Sequence, residues 1–242
     1  MIKQTTIHTH RTIMFKELEK VMDYAISDDS YFQALDNNVT GKKSADGIKQ
    51  TARFLKIIYG FDQSNAAFKI FKLFWTSIDM FDRELITFLF ALNNDYLLSE
   101  SISVIANTKI GEKTTVESFE ENIEKYYPNK YSTITRHSIG KNLASSWKQI
   151  GFITGKVKNT RTQPKISYNC VAFAFIMAYL NGLRGDFIIS SKWVKALCLN
   201  ENQLRELAIE ASKRGLIQYQ FSGNVTSITC NELLKKLEIN DI

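Results

Sequence analysis

Residues 135–156, TRHSIGKNLASSWKQIGFITGK, combine a helical apolar stripe, a helix-closing glycine and a short apolar strand ending in a Gly turn. Ile139, Leu143, Trp147 and Ile150 recur at i, i+4, i+8 and i+11, one side of a helix. Ser138, Lys141, Ser145 and Lys148 recur at i, i+3, i+7 and i+10 on the other side. The spacing predicts a helix from a Ser132 or Thr133 cap to Ile150, with Gly151 as its left-handed terminator. Phe152-Ile153-Thr154 then reads as a strand that Gly155-Lys156 turns back into Val157-Lys158.

Upstream, Thr114 and Glu117 carry a capping-box pattern for a helix running to about Tyr127, where Pro128 stops it. Helix, turn, helix and ribbon is the order of a winged helix-turn-helix. A similar ending recurs downstream. A helix over 201–214, capped by Asn200 and closed by Gly215, leads into an apolar strand from Leu216 to Phe221. The turn Ser222-Gly223-Asn224 and a return strand from Val225 to Cys230 complete a second hairpin.

The N-terminal half has a different texture. Residues 11–26 carry Ile13, Met14, Leu18, Val21, Met22 and Ala25 at amphipathic spacing. Residues 27–47, rich in Asp, Asn, Ser and Gly, predict a loop with its tip at Thr40 to Lys43. Helices are expected over 48–60, 64–78 and 82–92, and only two prolines stand in 242 residues to interrupt them. The aromatic stripe Phe54, Phe68, Phe71, Phe74, Trp75, Phe81 and Phe88 reads as core. The fold class is therefore mainly α: a helical N-terminal bundle over 1–110, then basic winged-helix-like units with short β-hairpins over 111–242.

Charge is unevenly distributed. From Lys125 to Gly185 ten cations stand without one Asp or Glu, so with a net charge of +6 the rest of the chain carries −4. Solvated helix faces mix signs; a stretch that does not is read as an anion-binding surface. Lysines and hydroxyls hold a duplex in register, and an α-helix fits the major groove. Arg136, Ser138, Lys141, Ser145 and Lys148 on the helix, with Lys156, Lys158, Arg161 and Lys165 on and after the ribbon, are the candidate DNA contacts. If Lys141, Lys148, Lys156, Lys158 and Arg161 each neutralise one phosphate, the log–log salt slope is about −4 to −5.

Other chemistries fit less well. GFITGK at 151–156 is one residue short of P-loop spacing, and Val157 stands where a Ser or Thr belongs. Ser145-Ser146-Trp147-Lys148 matches Ser-x-x-Lys, but no Lys-Thr-Gly follows. Glu117, Glu120, Glu121 and Glu124 share one helix face, the pattern of an exposed acidic surface. Cys170, Cys198 and Cys230 are odd in number and widely spaced, which fits a reducing cytosol. With His8, His10 and His137 they stand at no zinc spacing, so no metal or cofactor and no catalytic residue is expected. The apolar run VAFAFIMAYL at 171–180 is about half the length of a membrane span and reads as a buried helix. No membrane association is expected, and the cytoplasm is the expected location.

Residues 135–237 resemble the BrxA family of the BREX phage-resistance systems. The resemblance is carried by TRHSIGKNLASSWKQIGFITGKVKNTR, Ala172-Phe173-Ala174, SSKWVKALCL at 190–199 and EASKRGLIQYQFSGNVTSI at 210–228. It implies a mostly helical, non-catalytic protein that binds double-stranded DNA as one component of an antiviral defence system, with other proteins of that system as partners. The family supplies no catalytic set to carry over. Two alternatives stay open: an interaction adaptor that docks its basic half onto an acidic protein of the same system, and a winged-helix transcriptional regulator.

Overall fold

Helix α10 (Tyr168–Leu180) is the centre of the molecule: every residue from Cys170 to Tyr179 is buried. An element of the buried kind has no polar face to show solvent, which is why its sequence lacks amphipathic periodicity. The computed structural model describes residues 5–156, 158–223 and 225–239. The described residues are 59% helix and 6% strand, with two small antiparallel hairpins among them.

Around α10 the elements follow in chain order. The first group comprises α1 (Phe15–Ala25), α2 (Tyr31–Asp36), α3 (Ala45–Tyr59), α4 (Ala66–Ser77), α5 (Met80–Asn94), α6 (Tyr96–Glu100) and α7 (Ile102–Asn107). Next come α8 (Val116–Tyr126), α9 (Thr133–Gln149), β1 (Ile153–Thr154) and β2 (Thr160–Arg161), then α10. The chain ends with α11 (Asp186–Ile189), α12 (Lys192–Lys195), α13 (Glu201–Lys213), β3 (Gln218–Ser222), β4 (Val225–Thr229) and α14 (Asn231–Lys236).

Helix α10 packs on α4 and α5 from the first half of the chain and on α12 and α13 from the second. Phe173 meets Phe74 edge-on at 5.2 Å, and Phe71 meets Phe90 at 4.7 Å. Buried residues from Ile7 to Leu234 belong to one apolar cluster. The aromatic stripe is core, as its spacing implies, except for Phe81, which is 94% exposed at the start of α5.

The longer helices of the first half lie close to where the periodicity puts them, but the short α2, α6 and α7 have no counterpart in it. Helix α2 occupies part of the expected loop, and its Tyr31 is fully buried and stacked on Phe61 at 5.3 Å. Six residues are too few to display a period, so tertiary packing decides this element.

Helix α9 is closed as expected. Ser132 accepts from the Thr135 amide at 3.3 Å. At the other end the Gly151 amide bonds Lys148 O and the Phe152 amide bonds Trp147 O, with Gly151 at φ +78°. That pair of bonds is the Schellman closure, and Gly215 repeats it after α13 through Ser212 O and Ala211 O. Helix α8 is capped one residue later than expected, by Thr115, which accepts from Ser118 at 3.1 Å. Thr114 instead ends the preceding extended segment, its backbone amide bonding Asn159 O at 3.0 Å.

That bond belongs to a third extended segment. Gly111 N donates to Arg161 O and Arg161 N donates to Glu112 O, both at 2.8 Å, while β1 pairs β2 through Ile153↔Arg161 and Thr154↔Thr160. The spatial order is 111–114, β2, β1, with α8 and α9 inserted in the chain between the first and the last. The return strand begins at Thr160, later than expected, and Val157 lies outside the described residues. Gly155 (φ +104°) sits in the intervening loop, where a Cβ would fall 2.0 Å from Lys158 O. Gly155→Ala should therefore cost about 1–3 kcal/mol, read as a lowered urea midpoint; an unchanged midpoint would show that the loop reorganises freely.

The second hairpin pairs Gln218↔Thr229 through Ser222↔Val225, and its turn residue Asn224 lies outside the described residues. No helix among the described residues is long and apolar enough to cross a membrane.

Candidate nucleic-acid interface

Helix α9 is held by its inner face. Ile139, Leu143 and Trp147 are fully buried, and Trp147 packs on Phe88 at 4.4 Å and Phe152 at 5.3 Å. Its indole N–H donates to Ser101 Oγ at 2.7 Å. Gly140 brings α9 close to α8: a Cβ there would meet Val116 O and Val116 Cγ1 at 3.0 Å.

Sequence reasoning missed the polar centre of this face. Asp95 Oδ2 bonds His8 Nδ1 at 2.8 Å, and His8 Nε2 bonds Ser146 Oγ at 2.9 Å, all three residues being buried. The line has the composition of a Ser-His-Asp triad. Its chemistry is different, because Ser146 Oγ also accepts from Ile13 N at 3.1 Å and bonds Asn142 O at 2.9 Å. With no exposed surface and its oxygen already engaged, Ser146 offers nothing to a substrate. The triad is a buried clasp that ties the N-terminal segment to α6 and α9. Asp95 further accepts from the Ile7 and Leu98 amides and from Thr6 Oγ1. Burial pushes its carboxyl up, but the His8 ring and the two amides outweigh burial and hold it below the ordinary range. A sequence signal existed only in part: a His eight residues from one end and an Asp at position 95 have no linear relation.

The outer face is less uniformly basic than the acid-free run implies, since acids reach it from other elements. Arg136 is ion-paired with Glu124, and His137 bonds Glu120 at 2.7 Å, both acids belonging to α8. Ser138 Oγ donates to Ile134 O at 3.1 Å. Lys165 is exposed at the lip of a cleft of about 690 Å³ whose walls include Asp79, Asp82 and Glu84. Lys130, also in the acid-free run, lies over the Tyr96 and Tyr127 rings at 4.6 Å.

Arg161 requires a correction. It is 3% exposed, with Nε on Ile105 O at 3.1 Å, Nη2 on Gln163 Oε1 at 3.0 Å and Nη1 on Thr162 O. Register decides this: opposite the inward-facing Ile153, residue 161 faces inward too. It is therefore not an external phosphate contact.

What remains is a compact set. Lys141, Lys156 and Lys158 are exposed, and Ser145 and Lys148 are half-buried. Lys148 Nζ donates to Gly155 O at 2.6 Å and so anchors the hairpin loop to the end of α9. None of these four lysines forms an ion pair among the described residues. The second hairpin follows a helix of mixed charge, on which Glu201 pairs Arg205 and Glu210 pairs Arg214. Comparison with known proteins yields no matching family model, no similar curated protein and no similar solved structure.

Proposed function

We propose that this chain is a non-catalytic, double-stranded DNA-binding protein that uses α9 and the β1–β2 loop as a recognition helix and wing. The single observation that carries the reading is the arrangement of the extended segments. Segment 111–114 precedes α8 and α9, β1 and β2 follow them, and β2 lies between the other two. With α7 ahead of that segment, we read the order as that of a winged helix, a unit that presents its second inserted helix to the major groove. Lys141, Ser145 and Lys148 stand on that helix, and Lys156 and Lys158 on the wing. The resemblance of 135–237 to the BrxA family supports a role in a phage-defence system.

Four lysines contacting phosphate give a salt slope of about −3 to −4. Titration of a random-sequence duplex should thus show affinity falling about a hundredfold between about 50 and 200 mM salt. Absence of binding at the lower salt would overturn the reading. Strong preference for one operator would instead favour a transcriptional regulator.

The adaptor reading has one observation in its favour: Phe187 on α11 and Val225 at the start of β4 are largely exposed. Capture of a partner protein undiminished by excess duplex would separate that surface from the α9 face.

A further inference from the structure

Arg161 is a buried cation with only neutral partners. Three of its N–H groups go to the Ile105 and Thr162 carbonyls and the Gln163 amide oxygen, its guanidinium lies over the Phe152 ring at 5.0 Å, and the nearby Cys198 thiol is pushed up by burial and so kept neutral. A buried charge of this kind is costly unless an opposite charge meets it. It forms part of the wall of a cleft of about 760 Å³ between α7, β2 and α12. Lys192 shares that wall, half-buried, with Nζ on Leu92 O at 2.5 Å and on no carboxylate. Lys195 and Lys109 are exposed at the same cleft. Four cations thus face one acid, Glu100, which already accepts from Tyr127 at 3.3 Å. The lip is of another character, with Tyr126 and Ile110 largely exposed. Such a volume is that of a small-molecule site, apolar on one side with convergent polar groups on the other.

We propose that this cleft binds a nucleoside phosphate monoester, its phosphate held by Arg161, Lys192 and Lys195 and its base lying on Tyr126 and Ile110. The phosphate supplies the opposite charge that Arg161 lacks, through the N–H groups that its three neutral partners leave unused. The aromatic ring supplies the stacking face that a base requires. Two sources share this chemistry, a free mononucleotide and the phosphorylated end of a nucleic-acid strand.

The test is calorimetric titration of the full chain with adenosine monophosphate, adenosine and inorganic phosphate. Adenosine monophosphate should bind at least about tenfold more tightly than either fragment. Lys195→Glu, an exposed change, should weaken it about tenfold at unchanged melting temperature, and Lys192→Met, which also gives up the bond to Leu92 O, about tenfold with a slightly lowered melting temperature. Lys141→Glu with Lys158→Glu should leave it unaltered, which separates this cleft from the α9 face. Displacement by a 5′-phosphorylated oligonucleotide and not by its 5′-hydroxyl form would assign the strand end as the source; no displacement by either would assign the free nucleotide. No binding at millimolar ligand, equal affinity for adenosine, or full affinity in both cleft variants would each overturn the proposal, as would loss of binding in the α9 variant.

Discussion

Asp95→Ala should destabilise the protein by about 3–5 kcal/mol, because a buried carboxylate and every hydrogen bond to it are lost together. The change strips the acceptor from His8 Nδ1, Thr6 Oγ1 and the Ile7 and Leu98 amides at once. Against a total stability of about 5–15 kcal/mol, this is a substantial fraction. The same carboxyl makes stability depend on pH with a definite sign. It is held below its ordinary range in the folded chain, so the unfolded chain binds its proton more tightly. Its contribution is complete above the unfolded value of about 3.9 and is lost as pH falls through the lower, folded value. Asp95→Asn keeps the shape and removes the titration. Urea midpoints of the parent should then fall more steeply below pH 4 than those of Asp95→Asn. Parallel acid limbs would mean that other carboxylates set the acid response.

The clasp also shows where sequence reasoning ends. Helix α9, its Ser132 cap and its Gly151 closure were legible because each depends on residues within one turn of the boundary. The buried character of α10 was legible for a similar reason, since ten apolar residues in a row admit few other readings. Long-range facts were not legible. His8 stands 87 positions from Asp95 and 138 from Ser146, and only the packed chain brings them together. The cap of α8 is Thr115 and not Thr114, whose backbone is drawn into an extended segment by a bond to Asn159, 45 residues away. Charge was read along the chain, where Arg136 and His137 have no acidic neighbour; in space they face Glu124 and Glu120 of the adjacent helix. Arg161 was misplaced because strand register, which a two-residue strand hardly announces, chooses between the two faces.

Reversing two of the exposed lysines should have the largest effect on function. Lys141 lies on the outer face of α9 and Lys158 on the loop between β1 and β2, both exposed and neither ion-paired among the described residues. Lys148 is the poorer choice, because its bond to Gly155 O holds the loop in place and its loss would mix folding with binding. In Lys141→Glu with Lys158→Glu, two phosphate contacts disappear and two repulsions replace them. Duplex affinity should drop at least about a hundredfold, and the salt slope should shrink by about 2 as two fewer counterions are released. Net charge falls by four in this variant, so the control must match it. Lys213→Glu with Lys235→Glu makes the same change at exposed positions beside the second hairpin. If α9 and the wing form the interface, the control retains most of its affinity and its full slope. Equal weakening in both variants would mean that the duplex senses only the overall charge of the molecule, and the assignment of α9 as the recognition helix would have to be abandoned.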